Sequence, residues 1–290
     1  MRANFGSKFN DRKPLESAIL LFAKLPVPGN VKSRLGASIG PSAAARLAAA
    51  MLTDRLEQLG EGFSDADPER VLLGDQELGE LFSPYFQLLE KSGFSANCME
   101  SRRSAQSWGG WNYRSQGPGS LGQRIYRAIT SSFNRGRLVV GSDAVSQEIG
   151  AVQHALECLK KGIPVIQPAE DGGFTLLGLP PGDPPLGDAD GWELLATVLA
   201  GEQVAWKPLA SALNQVGWNP EIMGEQLDID ELSDVESLLQ RTARKGGKAQ
   251  RWPRFLQELS KLPKDVWSVP VEMSILRARE TAPKVTPEKE

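Results

Sequence analysis

The sequence is poor in the residues that most often carry metal or nucleophilic chemistry. Its 290 residues include one histidine, His154, and two cysteines, Cys98 and Cys158. The cysteines have neither the spacing of a zinc site nor the number of a disulfide framework. His154 lies in a helical pattern beside apolar residues, which is typical of a packed position. The inventory therefore disfavours zinc chemistry and a Ser-His-Asp triad.

Long apolar runs and a strong charge of either sign are also missing. No run approaches the roughly 18–20 residues that span a bilayer, and the polar first 17 residues lack the apolar centre of a signal peptide. A net charge of −3 gives no electrostatic case for a nucleic-acid partner. We therefore expect a soluble, cytoplasmic protein with no membrane span, in which residues 1–16 form a flexible arm.

The stretch AILLFAKLPVPGNVKSRLGASIG, residues 18–40, opens the part with clear structure. Its apolar run at 18–23 predicts a buried strand, and the prolines and Gly29 that follow require a turn. If residues 32–34 are extended, two of the cations in this loop share a face and could hold a phosphate. An ordinary loop with solvated cations is the alternative, and the P-loop pattern is absent. Three cations follow the strand: Lys24, Lys32 and Arg34.

Strand and helix patterns alternate along most of the chain. Apolar residues recur at spacings of three and four over 44–59, after Pro41, which suits a first helical turn. This alternation predicts an α/β fold with a largely parallel sheet. Further strands are expected at 70–74, 137–141, 163–167 and 174–179, and further helices at 121–133 and 149–159.

The segment GPGSLGQRI, residues 117–125, contains two overlapping patterns. Ser120 and Gln123 form a capping box that predicts a helix start. The glycines also spell GxGxxG, and Asp143 follows 21 residues after Gly122, which imitates a dinucleotide fingerprint. That fingerprint needs a buried strand immediately before it. Residues 106–116 are too polar to supply one, so we disfavour dinucleotide binding.

Asp143 follows the predicted strand at 137–141. Ligands in open α/β sheets bind outside the carboxyl ends of the strands, where a carboxylate can hold Mg²⁺ or Mn²⁺ against a diphosphate. Alternatively, Asp143 caps the following helix, although Ser146 could serve as that cap instead. The sequence leaves both roles open.

Two later acidic segments offer further candidates. Glu170 and Asp171 precede two glycines between apolar runs, which indicates a hairpin, or an acid that faces a substrate. Downstream, Ser233 and Glu236 form a second capping box for a helix from 234 to about 243. This leaves Asp228 and Asp230 without a structural role and favours one of them as a ligand.

The C-terminal region is predicted to lie outside the main domain, which spans residues 17–243. A linker at 244–251 leads to a short packed helix that contains Phe255, Leu256 and Leu259. Residues from about 277 onward are rich in proline and charge, which predicts a disordered tail. We therefore assign residues 244–290 to linker, short helix and tail.

Taken together, the motifs resemble the bacterial DUF2064 group. This resemblance implies a single main α/β domain of glycosyltransferase-A (GT-A) type, with a Rossmann-like nucleotide-binding sheet flanked by helices. The group is related in fold to the cofactor guanylyltransferases, and some members are linked to arsenosugar biosynthesis. The resemblance covers roughly residues 17–240 and rests on FAKLPVPGNVKSRL, GPGSLGQRI, VVGSDA, PAEDGGFTLLGL and LDIDELSDVESL.

The resemblance also implies site residues. Cations of the first loop, together with Gly29, would hold phosphates, and the glycine loop would lie near the nucleotide base. Asp171 would face the acceptor. Because no usable histidine is present, a carboxylate would have to accept the proton of the acceptor hydroxyl, and we choose Asp171 for this role. The sequence departs from the family at Ala144-Val145, where Cys-Pro is usual, and at Lys207-Pro208. The implied phosphate and base group is Lys24, Gly29, Lys32, Arg34, Gly119 and Gly122, and the implied metal ligands are Asp143 and Asp230.

Our leading hypothesis is a transferase that depends on Mg²⁺ or Mn²⁺ and moves a sugar from a nucleoside diphosphate sugar to a small-molecule acceptor. One alternative is nucleotidylyl transfer from a nucleoside triphosphate to a phosphorylated acceptor. A second is a nucleotide-binding scaffold that keeps the fold without turnover, which the altered residues at 144–145 and 207–208 motivate.

Overall fold

Eight strands form one mixed sheet in the part of the chain that the structure describes. The computed structural model describes residues 17–63, 68–75, 107–108, 110–131, 134–185, 188–201, 204–244 and 252–267. The strands are β1 (Ser17–Phe22), β2 (Glu69–Gly74), β3 (Ser107–Trp108), β4 (Trp111–Ser115), β5 (Gly136–Gly141), β6 (Val165–Pro168), β7 (Phe174–Leu179) and β8 (Glu221–Ile222). The predicted α/β fold is confirmed.

Helices lie on both faces of the sheet. They are α1 (Ser33–Ile39), α2 (Pro41–Glu61), α3 (Leu121–Thr130), α4 (Ile149–Lys160), α5 (Asp188–Leu199), α6 (Trp206–Gln215), α7 (Leu232–Arg244) and α8 (Pro253–Leu259), with a 3₁₀ turn at Lys264–Val266. None of the described helices is long and apolar enough to cross a bilayer. The predicted arm at 1–16 and the predicted tail from about 277 lie outside the described residues. So does the predicted linker at 244–251, except for Arg244, which ends α7.

Strand β1 shows why the chain forms this layered structure. Its side chains alternate between the two faces, and all six residues are buried. Ile19 and Leu21 pack with α2 and α4 on one face, whereas Leu20 and Phe22 pack with α3, α5 and α6 on the other. A strand covered on both faces requires a continuous apolar run, which is the pattern that the sequence shows.

The strand order is β3-β4-β2-β1-β5-β7-β6-β8. Strands β4, β2, β1 and β5 run parallel, and β7 is antiparallel to both β5 and β6. Strand β8 is parallel to β6. Strand β3 is antiparallel to β4. The carboxyl ends of all the strands except β3 and β7 therefore share one edge of the sheet. Because the chain leaves β1 toward β2 and returns to β5 on the other side, the topological switch point lies between β1 and β5.

The segment at 106–116 differs from its prediction. Residues 111–115 form β4, which pairs with β2, and both Trp111 and Tyr113 are buried. The polar residues Asn112 and Arg114 alternate with them, so the strand has one apolar face. A strand therefore does precede the glycine loop, and our reason for disfavouring a dinucleotide site was wrong.

The topology supplies a different argument about that fingerprint. The acid of the dinucleotide motif must end a strand close to the glycine loop. Asp143 instead follows β5, which is separated from β4 by β2 and β1. The spacing between Gly122 and Asp143 therefore does not place this acid where the fingerprint requires it.

Helix α8 extends the core beyond the predicted domain boundary. Phe255, Leu256 and Leu259 are buried in a cluster that also includes residues of α1, α2 and α7. The buried Asp54 of α2 accepts hydrogen bonds from the backbone N–H groups of Arg254 and Phe255, at 3.1 and 3.0 Å. The predicted short helix is confirmed, and its N-terminus is attached to α2.

Candidate active site

Four loops at the carboxyl edge of the sheet bring one lysine and several carboxylates together. Lys32 follows β1, Asp143 follows β5, Asp171 follows β6, and the segment with Asp228 and Asp230 follows β8. The Lys32 Nζ donates to Asp143 Oδ2 at 2.9 Å and to Asp230 Oδ1 at 2.6 Å. The site thus spans the switch point between β1 and β5.

The backbone at Lys32 is left-handed, with φ 47° and ψ 51°, and the next residue begins α1. Residues 32–34 are therefore not extended as predicted, and the two cations do not share a face. Lys32 turns inward with 10% of its side chain exposed, whereas Arg34 is 70% exposed and lies 3.7 Å from Glu231. Lys32 is the member of the predicted phosphate group that the fold directs into the acidic cluster.

The three carboxylates of Asp143, Asp228 and Asp230 lie together. One oxygen from each falls within a group whose members are all within 4.8 Å of one another. Asp228 and Asp230 share a face because they alternate with Ile229, which is fully buried. Gly141 leaves space for the Asp143 carboxylate, since a Cβ at position 141 would lie 2.7 Å from Asp143 Oδ1.

The charges of this cluster are strongly coupled. Burial by itself would lower the pKa of Lys32, but Asp143 and Asp230 raise it well above its ordinary value. Burial would raise the pKa of Asp143, yet the Lys32 ammonium and the Arg55 guanidinium hold it below its usual range. Lys32 therefore stays cationic and Asp143 ionised at neutral pH.

The carboxyl of Asp228 behaves differently from that of Asp143. Burial, together with the negative charges of Asp143, Asp171 and Asp230, raises its pKa to about 7. When all three aspartates are ionised, their negative charge exceeds the positive charge of Lys32 and Arg55, and a divalent ion would neutralise the excess. The half-buried, all-oxygen donor set of Asp143, Asp228 and Asp230 suits Mg²⁺ or Mn²⁺. The residues therefore fit the metal that the sequence suggested.

A buried polar network supports the loop that carries Asp143. Arg55 of α2 is fully buried and donates to the Gln147 side chain and to its carbonyl oxygen. Gln147 in turn donates to Gln167 of β6. Burial lowers the pKa of Arg55 to about 10, while Asp143 favours its charged form, so Arg55 remains a second cation beside the acid.

The structure excludes one of the two roles considered for Asp143. Helix α4 begins at Ile149, with Glu148 as its N-cap and no side-chain cap bond. Neither Asp143 nor Ser146 caps it, and the Ser146 hydroxyl instead accepts a hydrogen bond from Gln226. The cap interpretation of Asp143 is wrong.

The second predicted capping box is also wrong. Helix α7 begins at Leu232, so Ser233 lies inside it. The Asp234 carboxylate accepts from the backbone N–H groups of Asp230 and Glu231, at 2.9 and 2.7 Å. Asp230 therefore has a backbone role in this turn, while its carboxylate faces Lys32.

The remaining predicted residues lie around this centre or away from it. Asp171 is exposed, accepts a 2.8 Å hydrogen bond from the Gly173 N–H, and acts electrostatically on Asp228. Lys24 is exposed, and Gly29 turns the loop with φ 85°. Glu170 pairs with Arg241 of α7. Roles for Lys24, Gly29, Arg34 and Asp171 stay predictions.

The glycine loop is held by arginines of α3. Arg124 donates to Gln116 Oε1 at 2.7 Å, and Arg127 donates to the carbonyl oxygens of Gln116 and Pro118. The Ser120–Gln123 capping box is confirmed. Gln116 also donates to the carbonyl oxygens at the ends of β1 and β2, which fixes the loop at the same edge as the acids.

Gly122 has a packing role. It is buried where α3 crosses the end of α5, and a Cβ there would lie 1.5 Å from the Leu199 carbonyl oxygen. Gly119, with φ 110°, is exposed in the loop before α3. Close approach of two helices thus explains the glycine at 122, and nucleotide contact by either glycine remains a prediction.

Gly122→Ala should therefore destabilise the fold by about 3 kcal/mol or more, because the clash is with backbone that cannot move aside alone. Gly150→Ala is the matched control, since this α4 glycine has nothing within 4 Å of an added Cβ. That change should stabilise by about 0.5–1 kcal/mol. Urea unfolding measures the free energy of unfolding of both variants. Equal values would contradict the close contact between α3 and the end of α5.

Comparison with known proteins agrees with this architecture. The model of the family described as "Uncharacterized protein conserved in bacteria (DUF2064)" matches residues 90–190. The resemblance to DUF2064 is confirmed. The DUF2064 match contains the glycine loop, the VVGSDA strand end and the PAEDGGFTLLGL hairpin, which are three of the motifs that suggested it. No curated protein matches the sequence significantly.

Among the solved structures that are similar to this chain, one from Desulfovibrio desulfuricans G20 shows the same fold. A protein from Desulfovibrio desulfuricans G20, described as a "putative nucleotide-diphospho-sugar transferase", is 21% identical with a TM-score of 0.67, covering 91% of this chain and 98% of its own. A 4-diphosphocytidyl-2C-methyl-D-erythritol synthase from Anaerococcus prevotii is 11% identical, with a TM-score of 0.45 and coverages of 78% and 99%. A cytidylyltransferase from Leptospira borgpetersenii is 13% identical, with a TM-score of 0.43 and coverages of 79% and 87%.

Sequence reasoning considered Asp228 only as an alternative to Asp230, which was chosen as the ligand, and it did not include Arg55. Asp228 could have been found from its alternation with Ile229, which places it on the same face as Asp230. Arg55 lies in the regular apolar pattern of α2 and carries no local signal. The departures at Ala144 and Val145 are both buried. These two substitutions therefore affect the packing beneath the site more directly than the surface that a substrate would contact.

Proposed function

We propose that this protein is a metal-dependent transferase that moves a sugar from a nucleoside diphosphate sugar to a small-molecule acceptor. The observation that carries the proposal is the cluster of Asp143, Asp228 and Asp230 around Lys32 at the switch point of the sheet. The description of the Desulfovibrio desulfuricans protein, which shares the fold, supports the same class of donor.

The metal would be held by the three aspartates, with Lys32 beside it. A bound Mg²⁺ or Mn²⁺ would neutralise charge on the diphosphate leaving group. Lys32 would add a second positive charge, because its neighbours keep it protonated. The two cations act on the same developing charge, which is where electrostatic stabilisation contributes most to the rate.

Transfer breaks the bond between the anomeric carbon and the diphosphate oxygen, and the electron pair leaves with the diphosphate. A bond forms between the anomeric carbon and the acceptor hydroxyl oxygen, whose proton passes to a carboxylate. Asp171 is our choice for this base, because it is exposed and next to the acidic cluster. The chain's histidine is not at the site, since it pairs with Glu221 on β8.

The deciding experiment separates sugar transfer from nucleotidylyl transfer by product. Purified protein with Mn²⁺ is incubated with nucleoside diphosphate sugars or triphosphates and a panel of hydroxylated and phosphorylated acceptors. Release of a nucleoside diphosphate supports the proposal, whereas pyrophosphate release would replace it with nucleotidylyl transfer. Tight binding without turnover across the panel would favour the scaffold.

A further inference from the structure

A second cluster of metal-binding side chains lies away from the acidic site. It consists of His154 and Cys158 of α4 and Glu221 of β8. His154 and Cys158 are four residues apart, so they lie on the same face of the helix. The Glu221 N–H donates to the Pro164 carbonyl oxygen at 2.8 Å, which places this glutamate beside them.

One donor atom from each of the three side chains lies within 4.8 Å of the others, which is within reach of a single ion. His154 Nε2 lies 2.6 Å from Glu221 Oε1, Cys158 Sγ lies 3.3 Å from Glu221 Oε2, and Sγ lies 3.6 Å from Nε2. In a tetrahedral zinc site, bonds of about 2.0 Å to nitrogen and 2.3 Å to sulfur separate those two ligands by about 3.5 Å. The sulfur–nitrogen distance therefore needs little adjustment.

The chemistry and access of this cluster point to zinc. Nitrogen, thiolate sulfur and carboxylate oxygen are the ligands that Zn²⁺ takes in proteins, whereas Mg²⁺ and Mn²⁺ prefer oxygen. The side chains of His154 and Glu221 are 53% and 41% exposed, so an ion can enter from solvent. Cys158 is buried beneath them and supplies the sulfur from the helix side.

We propose that His154, Cys158 and Glu221 form a Zn²⁺ site that joins the edge strand β8 to α4. Strand β8 has two residues, and its strand pairing is with β6. The chain continues from Glu221 to Asp228 and Asp230, so a metal at this position would stabilise the segment that carries two acids of the candidate active site. A fourth coordination position would be left for water.

The test uses the full chain and Co²⁺ as a spectroscopic substitute for Zn²⁺. A bound thiolate gives Co²⁺ a charge-transfer band in the near ultraviolet, which an all-oxygen site does not give. The wild-type protein and Cys98→Ser, which changes the other cysteine, should show the band, and Zn²⁺ should remove it. Cys158→Ser should abolish it, and His154→Ala, at an exposed position, should weaken Zn²⁺ binding at least tenfold.

The result is separable from the proposed transferase activity. Asp143→Asn should keep the cobalt band, because that change touches the acidic site alone. A band of equal intensity in Cys158→Ser and wild type, or unchanged Zn²⁺ affinity in His154→Ala, would overturn the zinc site. The three residues would then be a hydrogen-bonded group, in which the thiol donates to Glu221.

Discussion

Replacing Asp143 by asparagine should lower the rate of sugar transfer by about 10³-fold and leave the fold intact. Asparagine has the shape of aspartate but lacks the charge that a metal ligand needs. A loss of about 4 kcal/mol of transition-state stabilisation corresponds to this factor. Lys32 keeps its contact with Asp230 in the variant, so the loop should retain its position.

The matched control is Asp190→Asn, which changes an exposed carboxylate on α5. It should leave the rate within about twofold of wild type. Steady-state rates at saturating Mn²⁺ and donor, together with thermal unfolding of both variants, make the comparison. Full activity of Asp143→Asn would remove this residue from the metal site.

Lys32→Met should destabilise the protein in the absence of divalent ions. The change leaves Asp143 and Asp230 without their ammonium, and loss of one partner from a buried pair costs about 3–5 kcal/mol. Asp143 and Asp230 are 33% and 42% exposed, so solvent screening should reduce this to about 2–3 kcal/mol. For a domain of this size the melting temperature should fall by roughly 4–12 °C.

Mg²⁺ or Mn²⁺ should restore more stability to Lys32→Met than it adds to wild type, because the ammonium and the metal neutralise the same acids. Lys24→Met is the control, since Lys24 is an exposed cation of the same loop. It should change stability by less than about 0.5 kcal/mol. Equal melting temperatures of the two variants, both with and without metal, would show that Lys32 does not stabilise the protein by neutralising these carboxylates.

Elements with strong local patterns were predictable from the sequence. Strand β1 carries an uninterrupted apolar run, α2 has apolar residues at spacings of three and four, and the Ser120–Gln123 capping box fixes the start of α3. Each signal depends on neighbours within a few residues. The secondary structure of these segments is therefore determined mainly by their own residues.

Errors arose where a local pattern had a competitor. Strand β4 has alternating polar residues, and its overall polarity hid the buried face of Trp111 and Tyr113. At α7, Ser233 and Glu236 match a capping box, yet the Asp234 carboxylate binds the preceding N–H groups and the helix begins earlier. A charged acceptor at this position competes well with a hydroxyl.

The candidate active site was only partly predictable. Asp143, Asp230 and Lys32 were each identified from their motifs, but contact between them requires the order of strands. Lys32 and Asp143 are 111 residues apart and meet because β1 and β5 are neighbours. Strand order is a non-local property, so sequence spacing suggested that Lys32 and Arg34 bind a phosphate together and did not reveal the contact of Lys32 with the acids.

The most direct test of the account is thermal unfolding of wild type and Asp143→Asn with nucleoside diphosphate sugars, with and without Mn²⁺. A ligand at 100 times its dissociation constant should stabilise wild type by about 2.7 kcal/mol, or roughly 5–11 °C. We expect this shift for at least one diphosphate sugar, only with Mn²⁺, and a much smaller one in Asp143→Asn. Equal shifts in the two proteins, or none in wild type with metal present, would contradict a metal-dependent nucleotide site at these acids.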